Sequence, residues 1–133
     1  MCDKIKEIVH LGTLLATKCS ARSFPKGVNF ITDPSQTLQV GVLNHDANHI
    51  ILPHQHKAQQ RSFERTREVL IILEGRLKAE FYWNKEKVSS LICGAGDILT
   101  LYDGGHGFEI IEDATIIEAK LGPYLQDDDK ERF

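Results

Sequence analysis

The chain has little cysteine. It carries three in 133 residues, Cys2, Cys19 and Cys93, with no two close in sequence. A set that is odd in number and scattered argues against a disulfide framework and against a zinc knuckle, and Cys93 reads as a small buried apolar residue. No apolar run approaches the length that crosses a bilayer. The opening "MCDKIKEIVH" has charges through its first seven residues, where a secretory leader would be apolar. Neither sign of charge dominates: 16 Lys and Arg stand against 19 Asp and Glu, a net charge of −3. That balance offers no electrostatic reason to expect nucleic acid or an anionic membrane as partner. Repeats, low-complexity tracts, Pro/Gly-rich linkers and a DNA-binding segment are absent too. The expectation is a cytoplasmic protein whose partner is a small molecule.

What is present is a β pattern. The length suits one domain, 1–133, and 41% apolar with 26% charged residues is ordinary for a globular chain. The first twenty residues are open: "DKIKEIVHLGTLLATK" reads either as a short N-terminal helix, which Gly12 weakens, or as a turn and a strand over 9–16. After that come short strands closed by turn residues: "GVNFIT", "TLQVGVL", "HIILPHQH", "EVLIILEG", "RLKAEFYW", "VSSLIC", "DILTLY", "GFEII" and "TIIEAKL". About nine or ten strands at this spacing point to an all-β sandwich or barrel. The core is expected over 37–122. Residues 123–133 form a tail, and "QDDDKERF", charged in both signs, reads as a solvated end.

His54 and His56 sit at i and i+2 on an expected strand, so both imidazoles point the same way. Alone, an H-x-H pair is more often a pair of surface histidines. Two features strengthen it. Glu68 heads the apolar strand "VLIILEG", and a carboxylate so close to buried chain needs a partner. His106 follows Gly104 and Gly105, a turn able to bring it back over the sheet. Three histidines and one carboxylate suit a divalent transition metal (Fe, Mn, Ni or Zn) better than Ca or Mg.

These residues resemble the motifs of the cupin family. His54, Gln55, His56 and the run Glu68 to Gly75 resemble the first motif, H-x-H followed by E-x6-G. Gly96, Asp97 and the run to His106 resemble the second. The resemblance covers roughly 37–122. It departs where eleven residues separate His56 from Glu68 and where Tyr102 stands in place of proline. It implies a double-stranded β-helix or jelly-roll barrel, His54, His56, Glu68 and His106 around one metal ion, and a homodimer. "GGHGF" and "EAKLGPY" further resemble a subgroup of small bacterial cupins, some linked to surface-polysaccharide or sugar-nucleotide pathways.

Other residues carry two readings. Arg61, Arg65 and Arg67 either clamp an anionic substrate or belong to a solvated loop. Glu118 and Lys120 share one strand face, as an ion pair beside the site or as surface charges. Phe108 points the same way as His106 and walls the pocket or fills the core; Tyr102 offers a phenol at the mouth or shapes a turn. His10, His45 and His49 are expected at the surface. Three functions compete: a metal-dependent oxygenase or isomerase on a small acid or sugar derivative, with Glu68 as fourth ligand or base; a non-catalytic sugar- or metabolite-binding module; and a metal-free sugar-nucleotide epimerase like the cupin-fold ones that use a His–Asp pair, for which Asp97 and Asp103 flank the second motif but read as turn residues. Fold alone does not choose among them.

Overall fold

The computed structural model describes residues 4–133, the side chain of Asp127 excepted. Among these residues the regular structure is almost wholly β, in antiparallel ladders, with short 3-10 turns at Ala21–Ser23 and Gln126–Asp129. Strands β1 (Lys6–His10) and β2 (Thr13–Ser20) form a hairpin. Leu11 and Gly12 both take left-handed φ, 49° and 77°, the two-residue turn that matches the twist of its strands. The hairpin replaces the short helix, and the strand expected over 9–16 is divided by this turn. Ile8, Leu15 and Ala16 are buried, so the core begins well before residue 37.

Strands β3 (Gly27–Phe30) and β4 (Gly41–Asn44) form a separate two-stranded sheet. Val42 from β4, with Leu38 and Val40 ahead of it, covers one face of the main sheet at Cys19, Val69 and Ile98. The main sheet contains β5 (Glu68–Trp83), β6 (Glu86–Gly94), β7 (Asp97–Leu101) and β8 (Gly105–Lys120), in the order β1-β2-β7-β5-β6 with β8 along β5.

The stretches "EVLIILEG" and "RLKAEFYW", expected as two strands, are one, and so are "GFEII" and "TIIEAKL". Both long strands bend at the same place. Gly75 has φ +83°, and a Cβ there would collide with the Asp113 carbonyl oxygen and lie 2.8 Å from Ala114 Cα. The β5–β8 register shifts three times between Ile72 and Leu77, so the ladder folds where the two backbones touch. Ahead of the bend β5 has β7 on one edge; beyond it β6 takes that place, while β8 follows the other edge throughout. Leu15, Leu70, Ile72 and Leu99 from one half then pack with Leu77, Phe81 and Leu91 from the other as a single core. Their burial is the main favourable term holding the bend shut.

Residues 45–67 contain no strand or helix. The strand expected at "HIILPHQH" is therefore absent, and Ile50, Ile51 and Leu52 are exposed. Pro53 has no N–H to give a ladder, and no strand edge takes the segment up. A matching surface is left open on β8. Ile110 and Phe108 pair with Leu77 and Ala79 and share their face, yet they are 53% and 38% exposed while their partners are fully buried. No helix among the described residues is long and apolar enough to cross a membrane.

The bend makes a sharp prediction. Gly75→Ala combines a left-handed φ with a backbone collision, and its expected cost is about 2–5 kcal/mol. Gly94→Ala in β6 is the control, since the nearest atom to its new Cβ is the flexible Arg76 Cγ at 3.7 Å. Urea denaturation should show a large fall in midpoint for the first variant and a change within about 1 kcal/mol for the second.

Candidate functional site

Glu68 opens β5 and pairs with Leu101 on one side and Lys120 on the other. His106, near the start of β8, pairs with Phe81. Along β5 those positions are thirteen residues apart, roughly 43 Å in a straight strand. Because the ladder is folded, His106 Nε2 instead lies 2.8 Å from Glu68 Oε1, where an imidazole N–H donates to a carboxylate. The turn that delivers His106 depends on Gly104. Its φ is +74°, and a Cβ there would sit 2.5 Å from the Tyr82 carbonyl oxygen. The Asp103 carboxylate fixes that turn by accepting from Gly104 N at 2.7 Å and pairing with Arg65 Nε at 3.3 Å.

Glu118 and Lys120 come from the far end of β8, opposite Leu70 and Glu68. Directly opposed residues share a face, so both point the way Glu68 does. The His106 hydrogen bond holds the Glu68 carboxyl down to about 2 against the opposing effect of burial, and contacts with Glu118 and Lys120 assist it. Glu118 moves the other way, because it hydrogen-bonds the Glu68 carboxylate, is partly desolvated and feels its charge. Of the two carboxyls Glu68 ionises first, and Glu118 keeps its proton to higher pH. Lys120 Nζ lies 3.9 Å from Glu118 Oε2 and 5.3 Å from the centre of the Tyr124 ring.

A cavity of about 780 Å³ opens over this group, within the size range of small-molecule sites. Glu68, His106, Phe108, Glu118 and Lys120 line it, and the Phe108 ring leans on His106 with centroids 5.4 Å apart. Arg65 also reaches it. The other candidates lie elsewhere. Arg67 precedes Glu68 and borders a second pocket of about 250 Å³ with Thr37 and Phe63. Arg61 is exposed and bonds Gln59. Tyr102 borders the cavity, but its hydroxyl is buried 3.5 Å from Thr17 Oγ1, so no phenol is presented at the mouth. His54 and His56 are exposed on the 45–67 segment, with the His54 ring on the Leu52 carbonyl at 2.9 Å. Among the described residues no three His, Cys, Asp or Glu side chains converge in a metal-holding group. His45, expected at the surface, is half-buried and stacked on His49 with ring centroids 4.0 Å apart.

Sequence reasoning missed Tyr82 and the segment Asp129–Phe133, which supply part of the cavity wall. In the sequence Tyr82 alternates with the apolar residues of "RLKAEFYW" alongside Arg76, Lys78 and Glu80, and the tail resembled a solvated end. The one available signal was an aromatic, Phe133, within that charged run. Comparison with family models, curated proteins and solved structures finds no match.

The Glu68 contact is visible in stability against pH. Its folded carboxyl titrates below its unfolded value, so its contribution is full above about pH 4.5 and is lost as pH falls toward about 2. Urea melts between those limits should show a fall that Glu68→Gln flattens. Equal slopes for the two proteins would contradict the contact.

Proposed function

We propose that the chain is a cupin-type protein that binds a small acid or sugar derivative in this cavity and moves protons on it. One observation carries the reading: the His106–Glu68 pair at 2.8 Å, with Glu118 beside it, lining a cavity of ligand size. A neutral imidazole that donates from Nε2 keeps its electron pair on Nδ1 and can act as base. Glu68 holds that tautomer and stabilises the imidazolium formed when the ring takes a proton. Glu118 is the acid that can return one. A base and an acid in one cavity suit isomerisation or epimerisation next to a carbonyl, the third of the competing functions, with Glu68 in the place expected for an aspartate. The folded antiparallel sheet, curled over a polar cavity, supports the double-stranded β-helix reading of the fold. The outer edge of β8, unpaired among the described residues, offers the expected homodimer a strand to pair with.

A second reading keeps a resident metal. As placed, the residues do not fit one, since Glu68 and His106 bond each other and His54 and His56 lie outside. What favours it is the uncovered inner face at Phe108 and Ile110, matched by an exposed apolar run, Ile50–Leu52, that leads directly to His54 and His56. In that reading the four residues would hold Fe, Mn, Ni or Zn once the segment is drawn in.

Solvent-deuterium exchange separates the readings. The protein is incubated in D2O with chelator and a panel of keto-sugars, sugar phosphates and hydroxy acids, and substrate deuterium is read by mass spectrometry. Proton transfer predicts incorporation that survives chelation, falls roughly 10²–10⁴-fold in His106→Ala, and is unchanged in His54→Ala. Exchange that needs added metal and disappears in His54→Ala would favour the metal centre. A compound that raises the melting temperature yet returns without deuterium would favour a binding module.

A further inference from the structure

Arg67 stands one residue ahead of β5, where the sheet already holds its backbone: its carbonyl oxygen accepts from Leu121 N at 3.1 Å. Successive residues of an extended chain point to opposite faces. Glu68 and Leu70 face the cavity and the first core, so Arg67 points to the other side, with Val69 and Ile71. Leu38 and Val40 cover that side, and Thr37 precedes them. The guanidinium is enclosed there. Nε and Nη1 are buried without an acceptor among the described residues, and no acidic side chain among them pairs with Arg67. Nη2 is the one nitrogen left outside that enclosure. An arginine keeps its charge at any pH a folded protein meets, and a cation drawn out of water without a counter-charge is costly.

The pocket of about 250 Å³ beside it holds further recognition groups. Arg65 brings a second guanidinium, and its pair with Asp103 through Nε leaves other donors of the fork to spare. Thr37 brings a hydroxyl and Phe63 an apolar wall. Glu64 is the one acid among the described lining residues, and it forms no ion pair with either arginine. We propose that this pocket is an oxyanion site in which a phosphate group bridges Arg65 and Arg67. Guanidinium forks match the oxygens of such a group, and their hydrogen bonds to it are charge-assisted. The Arg67 charge is delocalised, so an anion that meets Nη2 offsets the enclosed Nε and Nη1 as well. The pocket is smaller than a typical small-molecule site, which suits an ion or the charged end of a longer molecule. Glu64 and Arg65 border the main cavity too, so a ligand seated by its phosphoryl end has a continuous wall to follow. The inference goes beyond the proposed function and does not depend on the chemistry at His106.

Titration of the full chain with inorganic phosphate, at ionic strength matched with chloride, tests the site. The readout is the arginine Nε–H signals in a proton–nitrogen correlation spectrum. Those of Arg65 and Arg67 should move and saturate, while that of the exposed Arg61 stays in place. Arg67→Met, followed at Arg65, should bind phosphate roughly tenfold or more weakly. Glu64→Gln, which removes the negative charge from the wall, should tighten binding. Without phosphate, Arg67→Met should melt no lower than the parent, because it deletes an uncompensated charge. Added phosphate should then raise the melting temperature of the parent more than that of the variant. A sugar phosphate distinguishes the two sources of the group. Tighter binding with shifts that extend to His106 assigns the site to the phosphoryl end of a cavity ligand; shifts confined to the arginines assign it to the free ion. Signals of Arg65 and Arg67 that move no more than that of Arg61 overturn the proposal. So does an Arg67→Met protein that melts well below the parent without phosphate yet binds phosphate equally, because the arginine would then serve the fold alone.

Discussion

The fold of the β5–β8 ladder at Gly75 is the constraint on which the rest depends. Two sixteen-residue strands paired in register would normally make a long twisted ribbon with both faces in water. Here the backbones meet so closely at Gly75, Asp113 and Ala114 that no side chain fits, and the ribbon turns back on itself. The turn lets one apolar face close on its own continuation, so Leu70 and Ile72 bury against the core that Leu77 and Phe81 complete. It also sets electrostatics: the strand ends that meet carry Glu68, Glu118 and Lys120 on one side and His106 on the other.

That meeting explains why polar groups sit at the rim of the core. A carboxylate as shielded as Glu68 needs a donor, and His106 is supplied by the second strand of the same ladder. Glu118 arrives with it because it lies two residues from the partner of Glu68. The opposite shifts of the two carboxyls, Glu68 down and Glu118 up, follow from this β pairing, and the proposed acid–base chemistry uses them. Residues beside the same two strand ends, Thr66 and Lys85, contact Asp129 and Glu131 of the C-terminal segment.

Much of this was legible in the sequence, and the misses have physical causes. In "RLKAEFYW" the residues Leu77, Ala79, Phe81 and Trp83 alternate with Arg76, Lys78, Glu80 and Tyr82, which marks a strand, and turn residues located β6 and β7. Gly75 was legible as a break but not as a bend, because whether a strand ends or turns depends on the strand beside it. The N-terminal apolar spacing fits a helix and a strand alike; the left-handed pair Leu11 and Gly12 decides for the hairpin. Ile50 and Ile51 have strand-forming side chains, but a strand also needs an edge to pair with, and composition does not supply one. The motif at Glu68 and the glycine turn before His106 marked two residues that the structure sets against each other. Arg65 and Arg67 looked alike in the sequence, but Arg65 borders both pockets and Arg67 only the second. The tail escaped notice because its charges look solvated, although they anchor to Thr66 and Lys85.

The most direct test of the folded ladder is a carbon-edited NOESY spectrum on labelled protein, read at the Glu68 side chain and the His106 ring. The account predicts cross-peaks between the Glu68 γ protons and the His106 imidazole protons, alongside the ladder contacts Glu68–Lys120 and Phe81–His106. Those ladder contacts without any Glu68–His106 cross-peak would mean that the strands pair but do not fold back, and the shared site would not exist.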